Sequence, residues 1–143
     1  MNNTFLVVAG ILNLCASIAH FGIIIGGAKW YRIFGAGERL ATMVEEGKIY
    51  PHFITIGIAL VLLFMGLLAL SEANLILEIP YSHIILWGLT CIYLIRGSLG
   101  LIAPFINHPT VMQNSKLFWV WSSLICLVLG VVHLVGLTKI LLF

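Results

Sequence analysis

Arg96 stands where an ionisable residue is expensive, inside the apolar run Ile84–Pro104, which is long enough to cross a bilayer. At ~1.5 Å per residue it lies ~18 Å from one end of that run and ~12 Å from the other. A guanidinium at this depth has two uses. It can snorkel to the nearer surface through the space beside Gly97 and Gly100, or it can line a cavity and pair with a polar or anionic group. Depth favours the second. Tyr93, three residues earlier, shares its helix face.

Other polar side chains fall at spacings that could serve the same purpose. Asn13, Ser17 and His20 recur at intervals of four and three, so they project from one helix face and must meet other helices or a wet cavity. His52 opens the next apolar run, and Glu38 lies in the connection before it. By depth, His20, His52, Arg96 and a glutamate can form one polar cluster at the same end of the membrane. Its chemistry would be recognition, with Arg96 as counter-charge and His20 as a titratable hydrogen-bonding partner. The expected ligand-binding set is therefore His20, Arg96, Tyr93, Asn13, Ser17, Glu38 and His52. His133 is expected near the opposite boundary, close to His83 and Glu78, and His108 in a solvated loop.

The elements that must position these residues follow from composition. The chain has 143 residues, 62% hydrophobic and only 8% charged, against roughly 25% charged in soluble domains. Twelve charged side chains could not cover a soluble fold so apolar. Four runs can cross a bilayer, Phe5–Gly27, Phe53–Ser71, Ile84–Pro104 and Leu117–Leu137, and of the charged residues only Arg96 falls inside one. The expected fold is a single all-α domain over 1–143 with four transmembrane helices.

The connections set an orientation. Lys29, Arg32, Arg39, Lys48 and Lys116 share one side, and Lys139 alone marks the other. The positive-inside rule places the first side in the cytoplasm and both termini outside. Within the first connection, Leu40, Met43 and Val44 recur at helical spacing before Gly47, a residue suited to a helix C-terminus. A short amphipathic interfacial helix is expected over residues 38–46. The pairs Gly22-x-x-x-Gly26 and Ser122-x-x-x-Cys126-x-x-x-Gly130 read as packing seams, which could also join copies of the chain.

Several classes are set aside. No basic stripe suits nucleic acid. Cys15, Cys91 and Cys126 lie in separate apolar runs with no C-x-x-C pair, so neither a disulfide framework nor a metal site is expected. No cofactor is expected: bis-histidine haem ligation needs matched depths, and His20, His52 and His133 do not offer them. No catalytic set stands out. The lead expectation is a protein that binds or transports a small amphipathic or anionic molecule through a polar cavity open to the cytoplasm. The alternatives are a membrane enzyme or haem protein using His20, Glu38 and Arg96, and a non-catalytic accessory subunit.

The run Trp30–Glu38, with Gly47, Tyr50-Pro51, Gly66–Ser71, Tyr93–Gly97 and Ser122-Ser123, resembles uncharacterised small four-span bacterial inner-membrane proteins. The resemblance covers most of the chain and implies a bacterial inner-membrane setting. It carries no activity.

Overall fold

The computed structural model describes residues 3–112 and 114–142. They form α1 (Thr4–Ile33), α2 (Glu38–Glu45), α3 (Tyr50–Glu72), α4 (Ser82–Ile102), a 3-10 turn (Ala103–Phe105), α5 (Pro109–Met112) and α6 (Lys116–Leu142). Helices α1, α3, α4 (with the 3-10 turn) and α6 are each long and apolar enough to cross a membrane. The chain is thus an all-α, multi-pass membrane protein, as the four runs imply. Helix is the form such runs must take, because hydrocarbon offers no partner to an unbonded N–H or C=O.

Helices α2 and α3 are closed at their C-terminal ends by the chain's own backbone. Helix α2 stops at Gly47 (φ 73°), where Gly47 N–H donates to Val44 O and Lys48 N–H to Met43 O. Helix α3 stops the same way, with Asn74 (φ 58°) as the left-handed residue and Leu75 N–H donating to Leu70 O. Both are Schellman endings, which satisfy carbonyls that would otherwise be orphaned. Ser71 then pins the short return, accepting from Ile79 N–H at 2.8 Å and donating to Leu77 O at 3.1 Å.

Helix α1 runs past the expected limit at Gly27, and Gly27 is where it breaks. Its φ of 62° and ψ of −157° lie in a region that side chains avoid. The break folds the last turn back, so that Trp30 lies across Gly22 and Gly26, and a Cβ added at Gly26 would collide with the indole. The Gly22/Gly26 pair is therefore filled by the chain's own tryptophan, where a packing seam for another helix was expected. Tyr31 is turned inward by the same break and is fully buried beside Ile23 and Ala41 of α2.

Two antiparallel pairs make the bundle, α1 against α3 and α4 against α6, closed into a ring by α1–α6 and α3–α4 contacts. Lipid tails are as apolar as leucine, so close packing and hydrogen bonds, rather than hydrophobic burial, hold such helices together. Gly10 and Gly66 face each other across α1 and α3: a Cβ on either would lie 3.1 Å from the other's carbonyl oxygen. Across α4 and α6, Gly130 receives Leu94 and Gly97 receives Leu127. Gly130 thus serves a seam inside the chain. The α3–α4 side is the least tightly joined, and a groove opens there.

Candidate functional site: a groove headed by Arg96

Four-residue steps along α3 bring Ile54, Ile58 and Leu62, with Val61 and Met65, to the face turned toward α4. Leu89, Ile92, Tyr93 and Arg96 of α4 form the facing wall, and Cys126 of α6 closes the back. The groove has a volume of about 540 Å³. Leu62, Met65 and Tyr93 are buried at its floor, whereas Ile54, Ile58, Val61 and Ile92 are exposed along its rim. Its opening is therefore sideways, toward where lipid would lie. The cavity is apolar where a polar one was expected, and among the described residues Arg96 is the one charged group that lines it.

Arg96 sits six residues before the end of α4, ~9 Å by the helix rise. Its Nη2 donates to Ser122 Oγ at 3.2 Å and its Nη1 to Ser123 Oγ at 3.5 Å, both on α6. The Trp119 ring lies beneath the guanidinium, 5.0 Å from Cζ. Gly100 makes the space, since a Cβ there would strike both Arg96 Nη1 and Ser123 Oγ. Every one of these partners is neutral, and among the described residues no carboxylate pairs with Arg96. A half-buried cation beside an apolar groove is thus oriented without being neutralised.

The other expected residues do not join Arg96 in one cluster. Asn13 and Tyr93 meet His133 in the bundle interior. Tyr93 Oη donates to Asn13 Oδ1 at 2.5 Å, Asn13 Nδ2 donates to Ala9 O at 2.9 Å and lies 3.3 Å from His133 Nε2, and His133 Nδ1 lies 2.8 Å from Leu129 O. One neutral imidazole satisfies all of this, donating from Nδ1 and accepting at Nε2. The expected place of His133, near the opposite boundary beside His83, is corrected. Helix α6 continues to Leu142, so His133 lies nine residues inside its end, as Asn13 lies nine inside the start of α1. His83 instead joins Glu72 (3.5 Å) and accepts from Trp87 Nε1 (3.1 Å).

His52 belongs to a second arrangement, at the loop end of the bundle. Thr55 Oγ1 donates to Pro51 O at 2.9 Å, which leaves it to accept from Tyr31 Oη at 2.9 Å, and Tyr31 Oη in turn accepts from His52 Nδ1 at 3.2 Å. Glu38 forms the third arrangement, on the exposed surface. Arg32 grips Glu38 and Glu45 of α2 at 2.6 Å each. Chiefly through those hydrogen bonds, the guanidinium holds both carboxyls below the usual glutamate range.

Ser17 and His20 complete the account of the α1 stripe. Ser17 Oγ donates to Ala59 O of α3 at 2.7 Å, a tie between spans, and His20 Nδ1 lies 2.7 Å from Ala16 O of its own helix. Of the seven expected residues, only Tyr93 and Arg96 line the groove. The apolar lining residues were missed because groove walls and lipid-facing surface have the same composition in a membrane helix. Only Arg96, with Tyr93 on its helix face, carried a signal.

A scan of protein-family models and searches of curated proteins and solved structures find no match to this chain.

Proposed function

We propose that this membrane protein binds a small amphipathic anion in the α3–α4 groove, with Arg96 as the counter-charge. The observation that carries this reading is the neutral company of Arg96: two serine hydroxyls and an indole orient the guanidinium at the end of an apolar groove and leave its charge unmatched. An intramembrane cation of this kind calls for an anion, and the groove supplies room for an apolar body behind it. The exposed rim supports entry from the side, through the lipid, rather than along an aqueous path. The excess of basic residues on the loop side supports placing the Arg96 end of the groove at the cytoplasmic face of a bacterial inner membrane, with both termini outside.

The test is native mass spectrometry of protein purified without added ligand, comparing the natural chain with Arg96→Gln. The natural chain is expected to carry an acidic amphiphile that Arg96→Gln loses. Equal occupancy in both would end the proposal.

A further inference from the structure

Resting on that binding reading, we infer that the ligand is a single-chain amphiphilic acid taken from the surrounding leaflet, its head on Arg96 and its one alkyl chain along Ile58, Val61 and Leu62 toward Met65. Length, volume and the distribution of polar atoms each support this.

The groove follows α3 from Ile54 to Met65, a span of ~16 Å at ~1.5 Å per residue, against ~15 Å for the hydrocarbon of one leaflet. Arg96 lies near the loop-side end of that length. Measured from Arg96 the remaining apolar length is somewhat shorter, so a medium-length chain lies within the groove and the tail of a longer one projects into lipid.

The volume of about 540 Å³ sets the number of chains. A cavity of ~150 Å³ holds benzene, so this one accommodates on the order of twenty non-hydrogen atoms. One acyl chain with its acid group fills it. A diacyl lipid exceeds it well over twofold and would have to leave a chain outside.

Polar atoms are confined to the head. Tyr93 presents its ring to the groove while its hydroxyl is engaged by Asn13. Cys126 behaves as a small apolar group. Two N–H groups of Arg96 hold Ser122 and Ser123, and the remaining donors of its fork match a carboxylate or another acid group. A small water-borne anion would satisfy Arg96 equally well but would leave the apolar length empty.

The experiment measures dissociation constants for the purified full chain in zwitterionic nanodiscs at alkaline pH. The probes are n-alkanoates from octanoate to hexadecanoate, with acetate and dipalmitoyl phosphatidylglycerol alongside. With affinity expressed against the mole fraction of each alkanoate in the disc lipid, it is expected to rise with chain length, by well under the roughly fourfold per methylene of transfer from water because the chain leaves lipid, and to level off once the groove is filled. Phosphatidylglycerol is expected to bind at least tenfold more weakly than hexadecanoate, and acetate not measurably. Gly57→Phe provides a variant that keeps Arg96. Gly57 is a lining residue with open space at its Cβ, so a ring introduced there is expected to occlude the groove. It is expected to weaken long alkanoates at least tenfold.

Phosphatidylglycerol binding as tightly as hexadecanoate would overturn the single-chain assignment and leave the Arg96 site standing. Affinity independent of chain length, or undiminished in Gly57→Phe, would reduce the site to a soluble-anion contact and overturn the inference. If Arg96→Gln bound all the anions as the natural chain does, the binding reading beneath it would fall as well.

Discussion

Asn13 and His133 stand 120 positions apart in the chain, and their side chains meet in the bundle interior with Nδ2 3.3 Å from Nε2. The contact ties the first membrane helix to the last, and Tyr93 brings α4 into the same network through Asn13 Oδ1. In hydrocarbon, a polar group left without its partner has no water to turn to. Replacing either Asn13 or His133 with Leu is expected to lower unfolding stability by ~1–2 kcal/mol, with the double variant costing less than the sum. A double-mutant cycle in detergent or bicelles checks this. Strict additivity would mean that the two side chains do not interact.

Gly27 and Gly57 should respond oppositely to alanine. Gly27 has positive φ in a region nearly closed to other residues, so Gly27→Ala is expected to cost ~1–3 kcal/mol from backbone strain alone. Gly57 is helical with open space at its Cβ, and Gly57→Ala should be neutral or stabilising by up to ~1 kcal/mol. Thermal unfolding of the two variants gives the comparison. Trp30 emission should shift in Gly27→Ala alone, as the indole leaves Gly22 and Gly26.

Much of the architecture is legible in the sequence because the bilayer sorts residue types by depth. Charge stays out of the spans except at Arg96, and Gly47 marks the end of α2. The α1 stripe is legible as inward-facing, and Asn13 and Ser17 are indeed bonded to other helices. Their partners are not legible, since hydropathy fixes depth along a helix but not rotation about it. His133 was misplaced in depth for a different reason. The apolar run fades after Leu137, but the helix continues through Lys139, which lies over the Phe5 ring at 4.4 Å. The break at Gly27 is invisible to periodicity because tertiary contacts of Trp30 and Tyr31 select it.

Acid should loosen α2. Glu38 and Glu45 are held below the usual glutamate range, chiefly by the hydrogen bonds from Arg32. Their folded-state values are depressed, so their contribution to docking is complete above the ordinary glutamate range and is lost as pH falls through those lowered values. Hydrogen exchange in residues 38–45 is expected, after correction for intrinsic rates, to speed up over that acidic window. The double variant Glu38→Gln/Glu45→Gln should exchange faster at neutral pH and lose the pH response. An unchanged profile would show that Ala41 and its apolar neighbours dock the helix alone.

Gly100 is expected to matter to Arg96 rather than to the fold. A methyl group at that position would meet the Arg96 guanidinium and Ser123 Oγ, both movable ends. Gly100→Ala should therefore fold, displace Arg96 from its serines and weaken acidic-amphiphile binding about tenfold, the equivalent of ~1.4 kcal/mol. Binding isotherms and a thermal melt on the same preparation separate the two effects. Undiminished affinity would show that Arg96 needs no fixed seat.

The charge of Arg96 is tested most directly by comparing hexadecanoate with hexadecanol, which share a chain and differ at the head, in the natural protein and in Arg96→Gln. The natural protein should prefer the acid by at least tenfold, within the range of a charge-assisted hydrogen bond. Arg96→Gln should erase that preference while leaving the alcohol's affinity where it was. A preference for the acid that survives the loss of Arg96, or that is absent from the natural protein, would contradict the assignment of Arg96 as the counter-charge.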